Sequence, residues 1–429
     1  MKQLLAWIDD RFPLTALWKS QISEYYAPKN FNFWYYFGSL ALLVLVMQIV
    51  TGIFLTMNYK PDATLAFASV EYMMRDVSWG WLIRYLHSTG ASMFFIAVYL
   101  HMYRGLLYGS YRKPRELLWI VGVVIYLCLM AEAFFGYLLP WGQLSFWGAQ
   151  VIVNLFSTIP LIGPDLALWI RGDYTVSDVT LNRFFAFHVI AIPLVLLVVV
   201  AVHVIALHET GSNNPDGIDI KKHKDPKTGH PLDGIPFHPY YTVKDLMGAV
   251  AFLAVFSVVV FFLPEMGGYF LEANNFMPAD PLKTPSHIAP VWYFTPFYAM
   301  LRAVPSNLLP LLPSTQFYGV AVMGLAVLIF FALPWLDRGV VKSIRYRGTL
   351  YKSWLAVFVV SFLVLGYLGT VNVTVWGQFA GGWTDMLDTK DRATWVARVL
   401  TVLYFLFFVL MPWYTRRDKT KPEPERVTV

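Results

Sequence analysis

Four histidines lie inside long apolar runs of the sequence. His87 and His101 are 14 residues apart, and His188 and His203 are 15 apart. On an α-helix either spacing is about four turns, or roughly 21–22 Å, so the histidines of each pair share one broad face. Two helices that each carry an upper and a lower imidazole could hold two haems, because imidazole is a common axial ligand of haem iron. A single buried histidine is usually only hydrogen-bonded, but ionisable groups within a membrane are costly and mark functional sites.

Pairs of glycines with the same spacing occur in the two neighbouring apolar runs. Gly38 and Gly52 are 14 residues apart, as are Gly122 and Gly136. A residue without Cβ allows close approach to a helix backbone, which a macrocycle between packed helices requires. One such pair alone would fit ordinary helix packing equally well, whereas the repeated spacing favours the haem interpretation.

Two arginines lie three residues from histidines, on the same helical face. Arg84 precedes His87 and Arg104 follows His101. A guanidinium binds carboxylates in a bidentate manner, so both arginines are candidates to bind haem propionates. The alternative is that their charged ends extend to the lipid headgroups, which is compatible with that role.

The composition is that of a multi-pass membrane protein. Of the 429 residues, 57% are hydrophobic and 14% are charged, and the mean hydropathy is +0.52. The sequence predicts an all-α membrane protein with eight transmembrane helices, of which the first four form a bundle that holds two haems. The eight predicted spans cover residues 32–57, 79–108, 116–138, 180–207, 246–264, 316–336, 350–371 and 394–413.

Basic residues and the single cysteine limit the function further. If the chain starts in the cytoplasm, the inside segments carry most of the 33 Lys and Arg, which predicts that both termini are cytoplasmic. The net charge of +6 therefore reflects the orientation of the chain in the membrane and does not indicate a nucleic-acid partner.

With Cys128 as its only cysteine, the chain cannot hold an iron–sulfur centre through thiolates or attach a haem covalently through a CxxCH motif.

Several strings resemble one known family. FFAFH, LHETGSNNP, GYLLPWGQLSFWGAQV and HIAPVWYF resemble cytochrome b of the respiratory quinol–cytochrome c reductase (cytochrome bc1 complex, complex III), in a bacterial form. The likeness runs from about residue 30 to the last span. It implies two non-covalent b haems, with His87 and His188 as iron ligands of the low-potential haem near the periplasm. His101 and His203 would be the iron ligands of the high-potential haem near the cytoplasm.

The resemblance also implies two quinone sites. For quinol oxidation at the periplasmic face it implies Phe134, Tyr137, Gly142, Pro290, Trp292 and Tyr293. For quinone reduction at the cytoplasmic face it implies His208, Lys244 and Asp245. A histidine and an aspartate near water can relay protons to reduced quinone. From the residues alone, Asp245 would equally fit a contact with the N-terminal end of a helix dipole.

Three features depart from the family pattern. The usual Pro-Glu-Trp-Tyr motif has Val291 in place of its glutamate, and we hypothesise that Glu132, in the apolar third span, accepts the quinol proton instead. A neutral glutamate bonded to the helix backbone is the alternative. The 15-residue spacing between His188 and His203 is one longer than in mitochondrial relatives, and a kink or π-bulge near Pro193 could absorb the extra residue. The loop at 218–240 is also longer.

The resemblance implies bifurcated quinol oxidation in a bacterial inner membrane. Electrons would pass to an iron–sulfur (Rieske) subunit and through the two haems to ubiquinone, with proton translocation. A c-type cytochrome subunit, membrane lipids and a homodimeric assembly would be further partners. A proton-coupled transporter and a structural anchor are alternative functions, and both leave the paired histidines unexplained.

The predicted regions are a surface segment (1–31), the di-haem domain (32–209), a cytoplasmic loop (210–245), a C-terminal four-helix domain (246–413) with the quinol-site loop 265–315, and a cytoplasmic tail (414–429).

Overall fold

The computed structural model describes residues 2–305, 315–370 and 389–428. The described residues are helical apart from a small antiparallel sheet of β1 (Tyr26–Pro28) and β2 (Gly234–Pro236), in which Ala27 pairs with Ile235. This sheet joins the segment before the first long helix to the 210–245 loop. The all-helical architecture predicted from the apolar runs is confirmed.

The helices follow the predicted order closely. In the N-terminal half they are α1 (Lys2–Asp9), α2 (Leu14–Trp18), α3 (Tyr36–Thr56), α4 (Ala66–Arg75), α5 (Gly80–Tyr108), α6 (Glu116–Leu138), α7 (Gln143–Phe156), α8 (Gly163–Arg171), α9 (Asp178–Ala186) and α10 (Ile192–Thr210). In the C-terminal half they are α11 (Tyr240–Phe262), α12 (Thr295–Ala303), α13 (Thr315–Leu328), α14 (Leu333–Leu336), α15 (Thr349–Thr370), α16 (Thr389–Val409) and α17 (Met411–Arg417).

Seven helical segments in the described part of the chain are long and apolar enough to cross a membrane. They are Phe33–Thr56, Glu116–Leu138, Asp178–Thr210, Tyr240–Phe262, Gln316–Leu336, Thr349–Thr370 and Arg392–Val409. The predicted span at 79–108 is present as α5, which has 29 residues but is less apolar than the seven. At a rise of about 1.5 Å per residue, its 29 residues are about 43 Å long, which exceeds the roughly 30 Å hydrocarbon core of a bilayer.

The histidine-bearing helices each pack on one glycine-bearing helix. Helix α5 packs along α3, and α10 packs along α6. Between α9 and α10 the chain forms one π-helical turn, Phe187–Ala191, which contains His188 and ends just before Pro193. The sequence predicted such a π-bulge or a kink between the two histidines, and the structure confirms the π-helical turn.

Buried polar groups fix the segments that connect the helices on one side of the molecule. Asp233 bonds Arg426 of the tail, with its two carboxylate oxygens 2.6 and 2.9 Å from the guanidinium nitrogens. Asp337 bonds the fully buried Arg347 at 3.1 Å. The first contact ties the 210–245 loop to the C-terminal tail, and the second holds together the segment between α14 and α15.

Candidate functional site

The four histidines form two facing pairs. The ring centroids of His87 and His188 are 6.0 Å apart, and those of His101 and His203 are 6.3 Å apart. Two metal–imidazole bonds of roughly 2.0–2.1 Å plus the two ring radii add up to about 6 Å, so both separations match a metal held between two imidazoles. The described residues contain no cluster of three or more metal-ligating side chains, so a two-ligand macrocycle fits better than a bare metal ion.

Each histidine faces one of the four predicted glycines. A Cβ built on Gly38 would be 3.2 Å from His101 Cε1, and one built on Gly52 would be 3.2 Å from His87 Cε1. A Cβ on Gly122 would be 3.2 Å from His203 Cε1, and one on Gly136 only 2.4 Å from His188 Cε1. The glycines therefore admit the histidine rings themselves against the neighbouring helix.

The His188 ring also contacts a backbone carbonyl four residues before the glycine it faces. Its Nδ1 lies 3.0 Å from the carbonyl oxygen of Glu132. A carbonyl oxygen can only accept a hydrogen bond, so Nδ1 of His188 donates. The other ring nitrogen, Nε2, is then left with its lone pair free for a metal.

The two predicted propionate ligands lie beside these pairs. Arg84 lines the same cavity as His87 and His188. Arg104 donates through Nη2 to the carbonyl of Asn213 at 3.3 Å, while its buried Nε has no hydrogen-bond partner among the described residues. A buried guanidinium with unused donors fits a carboxylate ligand.

A cavity extends from the outer histidine pair to the loop after α11. It has about 1640 Å³ of empty space, part of it open to the surroundings. Its walls include His87, His188, Gly52, Gly136, Glu132, Tyr137, Pro140, Phe270, Leu271, Asn275, Val291 and Tyr293.

The predicted quinol-site residues occupy different parts of this region. Tyr137 and Tyr293 line the cavity, and the Tyr293 ring stacks on Phe95 at 3.9 Å. Trp292 lines a second, apolar cavity behind Phe270, and its Nε1 donates to Ser92 Oγ at 3.0 Å.

The remaining predicted residues of this site lie in its supporting turns. Gly142 caps the N-terminus of α7, and a Cβ built on it would be 2.8 Å from the backbone oxygen of Asn275. Phe134 packs on Phe184, and Pro290 immediately precedes Val291. Gly142 thus permits close approach of the segment that contains Asn275.

The predicted quinone-reduction residues lie around one aromatic cluster. His208 stacks on Tyr25 at 4.4 Å, and Lys244 Nζ lies 5.0 Å from the centre of the Tyr241 ring. Asp245 accepts hydrogen bonds from Tyr35 at 2.8 Å and from Ser39 at 3.0 Å. Tyr25, Tyr35 and Tyr241 all belong to this cluster, which connects the three predicted residues.

Comparisons with known proteins identify the family. The family described as cytochrome b/b6/petB matches residues 22–211, and cytochrome b(C-terminal)/b6/petD matches residues 278–405. The chain belongs to the cytochrome b family.

The family's members include close relatives of this chain. Cytochrome b of Allochromatium vinosum is 63% identical over 99% of this chain and 98% of its own length. Cytochrome b of Rhodospirillum rubrum is 46% identical over 99% of this chain and 96% of its own. A solved structure of hyperthermophilic respiratory complex III has a TM-score of 0.82 and 37% identity, and covers 96% of this chain and 99% of that one. The predicted relationship to cytochrome b of complex III is confirmed, and the chain is a core membrane subunit of quinol–cytochrome c reductase.

The cytochrome b structure gives Glu132 a specific partner. Glu132 Oε1 is 3.0 Å from His188 Nδ1, and its buried Oε2 has no hydrogen-bond partner among the described residues. A carboxylate that bonds the far nitrogen of a metal-binding imidazole orients the ring and increases its basicity. This contact differs from both roles considered for Glu132 from the sequence, and its predicted role as proton acceptor stays a prediction.

Sequence reasoning missed three polar residues that the fold brings to the outer site. Thr51 Oγ1 lies 2.9 Å from His87 Nδ1. Glu272 and Asn275 come from the loop after α11 and contact Tyr137. Thr51 precedes Gly52 and could have been suspected from that position, whereas the two loop residues carry no periodic signal.

Proposed function

We propose that this chain oxidises ubiquinol in the outer cavity, passes electrons through two b haems, and supports quinone reduction at the opposite face. The observation that carries the proposal is the pair of facing histidines at each level, with a glycine opposite every ring. A transporter has no requirement for this arrangement. Two facing imidazoles could hold a haem iron between them, and the glycines give the rings room against the neighbouring helices.

The chain's own residues would hold and tune two non-covalent haems. His87 and His188 are the proposed ligands at the outer level, and His101 and His203 at the inner level. When bound, haem supplies one-electron chemistry across the membrane, and its surroundings set the potential. Arg84 and Arg104 would bind propionates, and Glu132 and Thr51 would orient the outer ligands through Nδ1.

The proposed topology has eight spans with both termini in the cytoplasm of a bacterial cell. Helix α5 is the eighth span, because it packs along the apolar α3 and carries two of the proposed ligands. This arrangement places His87 near the periplasm and His208 near the cytoplasm. The regions 32–209 and 246–413 would then be the di-haem domain and the C-terminal domain, joined by the 210–245 loop.

The proposed partners follow from the electron acceptors that quinol oxidation needs. Quinol gives up two electrons, and a second one-electron acceptor must come from another subunit. The likeness to complex III supports a Rieske iron–sulfur protein and a c-type cytochrome in that position. Membrane lipids and a second copy of the complex are further expected partners.

A redox-titrated difference spectrum of membranes containing the complex tests the proposal. We expect two b-type components in the unchanged chain. His87→Asn should remove the component of the outer site, and His203→Asn that of the inner site. His223→Asn, in the exposed part of the 210–245 loop, is the matched control and should retain both. One component or none in the unchanged chain would refute the two-haem function and favour transport.

A further inference from the structure

Glu272 reaches the wall of the outer cavity from the loop after α11. Its carboxylate accepts hydrogen bonds from the Tyr137 hydroxyl and from Asn275 Nδ2, the latter at 3.1 Å. Tyr137 and Asn275 both line the cavity. Glu272 itself is only partly buried, and the next residue, Ala273, is exposed. One carboxylate therefore connects the cavity wall with the outer surface.

Asn275 fixes the position of this carboxylate. Its Oδ1 accepts the backbone N–H of Ser145 in the first turn of α7, at 2.8 Å. Because that N–H can only donate, the amide orientation is determined, and Nδ2 must face the other way. Nδ2 then donates to the Tyr137 hydroxyl at 3.0 Å and to Glu272. The Glu272 carboxylate is therefore held by donors from two different segments of the chain.

The surroundings of Glu272 suit proton transfer near neutral pH. Burial raises the pKa of its carboxyl to about 7. The titratable groups that face it are Tyr137 from α6 and Tyr293 from the segment before α12, and both are phenols that stay neutral at this pH. A general base is most effective when its pKa lies near the working pH.

Glu132 lines this cavity but is already bonded to His188, whereas Glu272 lies behind the wall and contacts it through Tyr137 and Asn275. Val291, which replaces the glutamate of the usual Pro-Glu-Trp-Tyr motif, lines the same cavity as Tyr137 and Asn275. We propose that Glu272 accepts a proton from quinol in the outer cavity and so replaces the carboxylate missing at Val291. This assignment rests on the proposed quinol oxidation and names a catalytic residue for it.

The step balances in protons and electrons. Quinol loses two electrons and two protons as it becomes quinone. One O–H bond breaks with transfer of its proton to Glu272, and the other proton leaves on the side of the iron–sulfur partner. One electron would go to that partner and one to the haem that His87 and His188 would hold. Protonated Glu272 then releases its proton to water beside the exposed Ala273.

Glu272→Gln tests the proposal in the complete complex. The measurement is the rate of haem reduction after mixing with a short-chain ubiquinol, with the inner quinone site inhibited, between pH 5.5 and 9. In the unchanged complex the rate should rise with pH through about 7, because only the ionised carboxylate accepts a proton. The variant should be slower by on the order of 10²-fold and lose this rise.

Glu265→Gln is the matched control, because Glu265 is an exposed carboxylate on the same loop. It should leave the rate and the pH profile unchanged. The double variant Glu272→Gln with Val291→Glu returns a carboxylate to the cavity and should recover most of the rate. An infrared difference spectrum recorded on quinol oxidation should show a protonated carboxyl band that Glu272→Gln alone removes.

The haem spectrum separates failure of this proposal from failure of the proposed function. Glu272→Gln should retain both b-type components, and if it does not assemble, Glu272→Asp keeps the acid and should retain the pH dependence. If Glu272→Gln keeps the rate and pH profile of Glu265→Gln, the assignment is wrong although quinol oxidation stands. If Glu132→Gln alone abolishes the pH dependence, Glu132 is the acceptor. If the unchanged complex does not oxidise quinol, both proposals are wrong.

Discussion

Replacing Gly136 with alanine should disturb one haem and spare the other. The new Cβ would lie 2.4 Å from Cε1 of His188, 2.8 Å from its Nδ1 and 2.9 Å from its Nε2. Carbon atoms pack best at about 3.5–4.0 Å, so the ring must retreat by roughly 1 Å. The ring cannot absorb this shift locally, because Nδ1 is held by the Glu132 carbonyl and carboxylate.

The energetic cost follows from this displacement. Overpacking a well-packed interior costs roughly 1–3 kcal/mol, and here the strain would fall on a proposed haem ligand. That range corresponds to roughly 5- to 150-fold weaker haem binding at the outer level. A Cβ at Gly122 would be 3.2 Å from the nearest atom of His203, so the matching inner substitution requires a shift of only a few tenths of an ångström.

Redox-titrated difference spectra with parallel haem extraction measure the effect. Gly136→Ala should lose or broaden the same b component that His188→Asn removes, and Gly122→Ala should keep both components with a small shift. Gly324→Ala on α13, where nothing lies within 4 Å of the new Cβ, is the control. Unchanged bands, potentials and haem content in Gly136→Ala would refute the inferred contact between glycine and ligand.

Three further predictions concern other parts of the chain. Asp337→Ala leaves Arg347 buried without its carboxylate and should cost about 3–5 kcal/mol, seen as a lower midpoint of thermal unfolding; an unchanged midpoint would contradict it. Bonding to Arg426 lowers the pKa of Asp233 to about 2. The contact between the tail and the 210–245 loop should therefore persist at neutral pH and weaken as the pH falls from about 4 towards 2. Hydrogen exchange of the 210–245 loop measures this weakening. Asp245→Asn should slow quinone-side haem reoxidation by on the order of 10²-fold but leave quinol-driven haem reduction intact, and flash or stopped-flow kinetics separate the two steps.

Periodic features of the site could be predicted from the sequence because they lie on helices. Helix α6 begins and ends at the predicted residues, 116 and 138. The 14-residue spacings placed each glycine at the level of one histidine, and the structure pairs all four. The extra residue between His188 and His203 required a local change in helical winding, and a π-helical turn provides it. Because helices have a regular geometry, contacts between residues on neighbouring helices can be predicted from their spacing in the sequence.

Contacts between distant segments could not be predicted in the same way. Glu272 meets Tyr137 only because Gly142 lets the loop approach the start of α7 and Asn275 binds Ser145. No repeat in the sequence indicates that this loop packs against α7. Sequence reasoning therefore selected Glu132, which lies in an apolar span, as the candidate proton acceptor and not Glu272. The ion pair of Asp233 with Arg426 likewise joins the 210–245 loop to the tail, which sequence reasoning treats as separate segments.

The weakest membrane signal belongs to the helix on which the proposed chemistry depends most. Helix α5 carries Arg84, His87, His101 and Arg104, and these side chains lower its hydropathy below that of the seven other candidate spans in the described chain. Polar groups within a bilayer are stable only where other parts of the protein satisfy them. Here α3, with Gly38 and Gly52, packs along the polar face of α5. The proposed haem ligands of α5 are therefore the same residues that lower its average hydropathy, and their regular spacing predicts this span where average hydropathy does not.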